Sequence, residues 1–154
     1  MPLWRLHYHL VWATKGREPV IGEREEDAVR WSVGKTSDRM GLILHAVGVM
    51  PDHVHVAVSI PPRHSVATVM RYVKGASAHA VNGRSGHAES SFSWQAEYGA
   101  LSFSDRGLGE VIEYVQHQKE RHVSNELYTW LEGIEEPGAG VSSRPELKVR
   151  AESE

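Results

Sequence analysis

The chain has 154 residues, 40% of them hydrophobic and 24% charged, with no cysteine and a formal net charge of −3. This length suits one domain with a sizeable core, and the absence of cysteine excludes disulfides, thiolate metal ligands and cysteine nucleophiles. No apolar run approaches the roughly 18 residues of a membrane span, so we expect a soluble, cytoplasmic protein with no membrane partner, and the weak acidity counts mildly against nucleic acid as a partner.

Hydrophobic periodicity and chain breakers predict seven elements along the chain. Alternating apolar residues mark the first strand, Gly41 ends the first helix, and Pro51 with Asp52 forms the turn of a hairpin. The predicted elements are strand 4–14, helix 23–40, strand 42–49, strand 53–60, helix 66–81, strand 92–104 and helix 108–123. The residues after Gly133 are mainly glycine, proline, serine and charged residues. We therefore predict a domain over 1–132 and a flexible tail over 133–154.

The order of these elements, β-α-β-β-α-β-α, indicates the fold class. Its first six elements follow the ferredoxin-like, or split βαβ, order, in which an antiparallel sheet carries two helices on one face. The seventh element is an added C-terminal helix. We therefore predict an α+β protein with a ferredoxin-like domain and one extra helix, although the fold alone does not identify a function.

The third predicted strand carries two histidines, since residues 51–60 read PDHVHVAVSI. Side chains of a strand alternate between faces, so His53 and His55 point the same way while the valines and Ile60 point the other way. Two neighbouring imidazoles suit Mn, Zn, Ni or Cu and, with oxygen ligands and waters, also Mg. The pattern indicates half of a metal site, which needs a third ligand from elsewhere; it also fits two half-exposed histidines without any ligand.

The last predicted helix offers both a ligand and a nucleophile. Tyr114 and Gln118 are four residues apart and therefore share one face of a helix. A tyrosine hydroxyl can form a covalent intermediate, and a bound divalent ion polarises a phosphoryl oxygen that such a hydroxyl could attack. Taken alone, a tyrosine at this spacing is more often a packing residue, and a glutamine is more often solvated.

Several segments together resemble the single-tyrosine HUH transposases of small bacterial insertion sequences and the related REP-associated tyrosine transposases. HUH denotes histidine, bulky hydrophobe, histidine, which here is His53-Val54-His55. The segments that carry the likeness are YHLVWATKGREPVI, MPDHVHVAVSIPP, YVKGASA and EVIEYVQHQKERH. The likeness runs from about Tyr8 to about His122. The triplet alone is weakly specific, but the MPDHVH context followed by Y-x-x-x-Q on a late helix is a strong combination.

The resemblance implies a role for each of these residues. His53 and His55 would bind a divalent metal, Mg or Mn, with Gln118 as the third ligand. Tyr114 would attack a phosphate of single-stranded DNA and give a 5′-phosphotyrosine and a free 3′-hydroxyl, so that cleavage and rejoining need no external energy. The resemblance also implies hairpin-bearing DNA as the partner and a homodimer, in which the tyrosine helix of one subunit can complete the metal site of the other.

Basic and aromatic residues outside this constellation are candidates for contact with DNA. A basic residue can make salt-sensitive phosphate contacts or can simply belong to a solvated helix face. The candidate phosphate contacts are Lys15, Arg17, Arg63, Arg71, Lys74 and Arg84. Trp94 and Tyr98 could stack on unpaired bases, although core or interface packing is favoured. For His7 and His9 on the first strand, packing or a polar strip facing DNA is favoured over a second metal site.

Three functions compete for this sequence. The first is a metal-dependent transposase that cleaves and rejoins single-stranded DNA. The second is a non-catalytic dimer that binds DNA or RNA hairpins, a task that requires none of the four site residues. The third is a replication initiator or relaxase, which usually carries extra domains that 154 residues do not provide. The presence of all four residues favours the transposase.

Overall fold

The computed structural model describes residues 3–84 and 92–118. The helices and strands are β1 His7–Ala13, α1 Glu23–Met40, β2 Ile43–Val49, β3 His53–Ser59, α2 Val66–Arg84, β4 Gly99–Phe103 and α3 Leu108–Gln116, with short 3-10 turns at Lys15–Arg17 and Asp105–Gly107. The predicted α+β fold of ferredoxin-like order with an added C-terminal helix is confirmed. The predicted tail 133–154 lies outside the described residues.

Four strands form one antiparallel sheet in the order β2-β3-β1-β4. The central pair of β1 and β3 sets His9 opposite Ala57, Val11 opposite His55 and Ala13 opposite His53. Both histidines of the HUH triplet therefore lie on a central strand of the sheet, where hydrogen-bonded neighbours on both sides hold the backbone in place.

The two faces of the sheet have different coverings. On one face Leu10, Trp12, Val54 and Val56 pack with α1 and α2 in the main core. Because side chains alternate along a strand, the histidines occupy the other face, where α3 packs its buried valines against small residues of β2 and β3. The side chains in this smaller cluster are Ala46, Ala57, Val111 and Val115. The added helix thus covers the face that carries the HUH pair.

The fourth strand is shorter than predicted, covering Gly99–Phe103 rather than 92–104. Upstream of it only Trp94 forms an isolated bridge, with Thr14. Backbone bonds join Gln95 N–H to the Ala13 carbonyl oxygen at 2.8 Å and Lys15 N–H to the Ser93 carbonyl oxygen at 3.1 Å. The Lys74 ammonium of α2 donates to the carbonyl oxygens of Gln95 at 2.5 Å and Ala96 at 3.0 Å. Burial lowers the pKa of Lys74 below its ordinary value. A side chain from α2 therefore holds this segment where a strand ladder was expected.

Two helix ends also differ from the sequence prediction. α2 continues to Arg84 rather than ending at residue 81, and the predicted helix 108–123 is interrupted after α3 ends at Gln116, with Gln118 helical again at the edge of the described range. His117 follows α3 with φ of −104° and ψ of 26°, which is outside the helical region. Residues 119–123 of the predicted helix lie outside the described residues. Within the two described ranges, none of the helices combines the length and hydrophobicity needed to cross a membrane.

Candidate metal and nucleophile site

His53 and His55 lie side by side on the face of β3 that α3 covers. Their ring centroids are 4.9 Å apart, and the two residues are 2% and 0% exposed. The turn before them is fixed by Thr14, whose backbone N–H donates to the carbonyl oxygen of Asp52 at 2.9 Å. The alternation predicted from sequence is confirmed, whereas the half-exposed pair considered as the alternative is wrong because both rings are buried.

Each of these two rings is oriented through its Nδ1 atom. His53 Nδ1 donates to Asp52 Oδ1 at 2.5 Å, and His55 Nδ1 lies 2.9 Å from His9 Nε2. An ionised carboxylate only accepts hydrogen bonds, so His53 carries a proton on Nδ1 and, in its neutral form, has a lone pair on Nε2. A histidine that binds metal through one nitrogen usually has the other held by a carboxylate, carbonyl or similar group. The Nδ1 contacts of His53 and His55 are therefore those expected for two histidines that bind a metal through Nε2.

Tyr114 lies against the same pair of strands. Its ring meets the His55 ring edge-on at 5.9 Å and the His9 ring edge-on at 6.4 Å between centroids, and the residue is fully buried. Val111 and Val115 share this side of α3 and pack against the sheet. The apolar spacing of α3 therefore aims Tyr114 at the HUH pair within one chain.

Gln118 lies just beyond the end of α3 and is 1% exposed. Its Nε2 donates to the carbonyl oxygen of Tyr114 at 2.8 Å. Within the described ranges, no group of three or more His, Cys, Asp or Glu side chains is arranged to hold a metal ion. A metal at His53 and His55 would therefore require a ligand of another type, and an amide oxygen is one that Mg and Mn accept.

Gly48 allows the end of α3 to approach the sheet. It pairs with His55 across β2 and β3. A Cβ atom at this position would lie 2.2 Å from the carbonyl oxygen of Val115 and 3.1 Å from Cγ of Gln118. No side chain fits in that space, so Gly48 sets how closely the helix that carries Tyr114 approaches His55.

Gly48→Ala is therefore expected to push α3 off β2 and to lower the free energy of unfolding by about 1–3 kcal/mol, as overpacking does. Gly75→Ala is the matched control, because nothing lies within 4 Å of a Cβ added there in α2. That change should raise the free energy of unfolding by up to about 1 kcal/mol. Urea unfolding measures both, and equal midpoints for the two variants would show that α3 does not dock at Gly48.

The basic residues predicted to contact phosphate fall into two groups, according to whether their side chains also hold the fold together. Their binding to DNA stays a prediction. Lys15 and Arg17 follow β1 in the 3-10 turn, and Arg17 Nε lies 3.9 Å from Asp52 Oδ2. These two residues therefore flank the turn that precedes His53. Arg71 is exposed on α2, where its guanidinium lies 5.2 Å from the ring centroid of Tyr72.

Two other basic residues have structural contacts. Arg63 Nη2 donates to the carbonyl oxygen of Met40 at 3.0 Å, next to Gly41 at the end of α1. A cation at a helix C-terminus satisfies free carbonyls and complements the helix dipole. Lys74 holds residues 95–96, as described above. Any contact these side chains make with DNA would compete with these bonds. The side chain of Arg84 is outside the described part of the chain.

A second polar cluster lies where β1 begins and β3 ends. Ser59 Oγ is 2.6 Å from His7 Nδ1 and 2.6 Å from His45 Nε2, and His7 Nε2 donates to Asp105. The hydrogen bond from His7, aided by the positive charge of Arg5, holds the pKa of Asp105 below its ordinary value. Burial lowers the pKa of His45, and His7 lowers it further. This cluster ties the turn before α3 to the sheet.

Sequence reasoning treated His7 and His9 alike, but the structure separates them. His7 belongs to the cluster with Asp105, and His9 contacts both His55 and Tyr114. Their shared face was evident from the alternation of β1. Their different partners depend on which residues of β3 stand beside them, and this strand register has no signal in the sequence of β1 alone.

Residues 2–118 match the transposase family described as IS200-like. The chain belongs to the IS200-like transposase family. The predicted resemblance to single-tyrosine transposases is confirmed, and the chain is a DNA transposase by family.

Two curated relatives cover most of this transposase. The ISDra2 transposase TnpA of Deinococcus radiodurans is 27% identical over 124 residues, which are 77% of this chain and 89% of that protein. The transposase for insertion sequence element IS200 of Salmonella typhimurium is 24% identical over 145 residues, or 92% of each chain. Both comparisons extend over nearly the full length of the relative.

Two solved structures share the fold of this transposase. One is a crystal structure of a candidate transposase from Deinococcus radiodurans R1, with a TM-score of 0.62 and 27% identity, covering 81% of this chain and 93% of that one. The other is a REP-associated tyrosine transposase bound to a REP hairpin, with a TM-score of 0.60 and 15% identity, covering 79% and 74%. The second supports the fold alone.

Proposed function

We propose that this transposase cleaves and rejoins single-stranded DNA at hairpin-bearing element ends through a 5′-phosphotyrosine on Tyr114. The observation that carries the proposal is the edge-on contact of Tyr114 with His55, at 5.9 Å between ring centroids, in a cluster where both HUH rings are held by Nδ1. A nucleophile and a pair of metal-binding nitrogens in contact form the two halves of a phosphoryl-transfer site.

We propose that His53, His55 and Gln118 hold a divalent cation, Mg or Mn. The donor set fits, because His53 has its proton on Nδ1 and the two rings are adjacent. When bound, the ion would supply charge stabilisation at the phosphoryl oxygens of the DNA. The amide oxygen of Gln118 would be the third ligand. The Nε2 atom of the same amide can meanwhile keep its hydrogen bond to the carbonyl oxygen of Tyr114.

The covalent step belongs to Tyr114. Its Oη forms a bond to phosphorus, the bond from phosphorus to the 3′-oxygen breaks, and the phenolic proton ends on that 3′-oxygen. The phosphodiester is replaced by a phosphotyrosine ester, so a later 3′-hydroxyl can reverse the reaction without an external energy source. Because Tyr114 and His55 are both fully buried, α3 must move relative to the sheet before a phosphate reaches this hydroxyl.

We propose that the DNA partner is a hairpin in single-stranded DNA and that two copies of the chain act as a homodimer. Lys15 and Arg17, at the turn before His53, are the phosphate contacts whose positions best suit this role. Arg71 is exposed but lies on α2, which covers the other face of the sheet. Arg63 and Lys74 would have to leave structural bonds. We propose that residues 1–132 form the catalytic domain and that residues 133–154 form a tail. Because the proposed substrate is cellular DNA, we also propose that this transposase works in the cytoplasm.

The test uses the full chain with labelled single-stranded DNA that spans the hairpins flanking its own gene. With Mn or Mg we expect a covalent protein–DNA band on a denaturing gel, lost when EDTA is added and absent with the same sequence as duplex. Tight hairpin binding without any covalent band, under conditions where a related transposase forms one, would favour the non-catalytic hairpin-binding dimer and overturn the proposal.

A further inference from the structure

His9 is a buried titratable residue that the chemistry of cleavage does not use. It lies on β1, is 0% exposed, and stacks on His55 with centroids 5.0 Å apart and an angle of 27° between the rings. Its Nε2 lies 2.9 Å from His55 Nδ1, and its ring meets Tyr114 edge-on. One side chain therefore contacts both a proposed metal ligand and the proposed nucleophile.

We propose that His9 is a positioning residue that fixes the tautomer of His55 so that His55 Nε2 can bind the metal. This inference rests on the metal site of the proposed function. It assigns His9 no contact with the ion or the DNA. Its contribution is the choice of which nitrogen of His55 carries the proton.

The two HUH histidines differ in how that choice is made. For His53 the partner is the carboxylate of Asp52, which can only accept, so the proton on His53 must sit on Nδ1. For His55 the partner is an imidazole, which accepts or donates according to its own tautomer. The tautomers of His9 and His55 are therefore coupled through this contact.

Only one of the two possible directions permits metal binding. If His55 Nδ1–H donates to His9 Nε2, His55 keeps a lone pair on Nε2 and His9 keeps its proton on Nδ1. If His9 Nε2–H donates instead, the neutral His55 carries its proton on Nε2, and that nitrogen cannot coordinate. The direction of the 2.9 Å hydrogen bond between His9 and His55 thus determines whether His55 can bind metal. His53 does not depend on such a choice, because its partner is a carboxylate.

His9 could act through its hydrogen bond to His55 or only by packing its ring. Two variants of His9 distinguish these roles. His9→Phe keeps an aromatic ring against His55 and Tyr114 but removes the acceptor. His9→Gln loses the ring but places an amide oxygen at a similar reach, where it can accept from His55 Nδ1. If the hydrogen bond matters, Gln restores what Phe loses; if ring packing matters, the order is reversed.

The main measurement is the affinity for Mn²⁺ by titration calorimetry, with no DNA present. We expect His9→Phe to weaken binding by about 10–100-fold, which is typical when the outer partner of a ligating histidine is lost, and His9→Gln to recover most of that loss. His79→Gln is the control, at an exposed position on α2. We expect that control to change affinity by less than about twofold, as for independent sites.

A second measurement requires neither a variant nor a metal. Nitrogen-15 NMR of the metal-free protein identifies the tautomer of each histidine, and we expect His55 to carry its proton on Nδ1. A proton on His55 Nε2 would overturn the inference, as would His9→Phe binding Mn²⁺ as tightly as the unaltered protein. If the unaltered protein binds no Mn²⁺ or Mg²⁺ at all, the proposed metal site itself fails, which is a separate result.

Discussion

Tyr114→Phe is expected to abolish the covalent protein–DNA adduct and leave the fold intact. The substitution removes only the hydroxyl oxygen, and the ring that meets His55 and His9 edge-on is kept. Removing one buried hydroxyl changes the free energy of unfolding by about 1 kcal/mol, so the loss of adduct should be complete while the protein still unfolds cooperatively in urea, at a midpoint lowered by no more than this energy. Denaturing gels with labelled single-stranded DNA and Mn measure the adduct.

The control for this variant is Tyr72→Phe. Tyr72 lies on α2, away from the histidine face, and is 52% exposed beside Arg71. We expect it to form the adduct at the normal rate. An adduct that persists in Tyr114→Phe at the level of the control would mean that another residue is the nucleophile.

His53→Ala and His55→Ala are expected to have the second largest effect. Each removes one of two proposed nitrogen ligands, and Mn²⁺ affinity and metal-dependent cleavage should fall by more than the roughly 10–100-fold produced by losing a partner of a ligand. Calorimetry measures the affinity and the gel assay measures cleavage. His79→Ala, at an exposed position on α2, is the control and should leave both unchanged. Normal Mn²⁺ affinity in both HUH variants would place the metal elsewhere.

Mixing His53→Ala with Tyr114→Phe tests which chain completes the site. The structure packs Tyr114 against His55 of the same chain, and in that arrangement every mixed dimer has one defect in each site, so no adduct should form. Recovered activity would show that the tyrosine helix of one subunit serves the histidines of the other, as the family resemblance allows.

Strand periodicity correctly predicted that His53 and His55 share one face, because this depends only on local alternation. His53 and His55 share a face wherever β3 is placed, and Val54 between them must face the main core. The helix that carries Tyr114 was also predicted, since its valines recur at helical spacing. The hydrophobic pattern within β3 and within α3 was therefore sufficient to predict these two elements.

The parts that sequence reasoning missed depend on contacts between distant residues. The fourth strand was predicted too long, and nothing in 92–98 indicates that Lys74 of α2 would bind its carbonyls. Gln118 was placed inside a continuous helix, whereas α3 is interrupted at His117 before Gln118 is helical again, and the amide of Gln118 donates back to the carbonyl oxygen of Tyr114. The bond between His9 and His55 depends on the register of β1 against β3. None of these contacts leaves a periodic signal.

The most direct test of the account is to identify the residue and the DNA end in the adduct. The full chain is allowed to react with hairpin-bearing single-stranded DNA and Mn, the DNA is trimmed with nuclease, and the digested protein is sequenced by tandem mass spectrometry. We expect a nucleotide joined through its 5′-phosphate to Tyr114, with a 3′-hydroxyl on the released fragment. A nucleotide on any other side chain, or one joined through a 3′-phosphate, would contradict it.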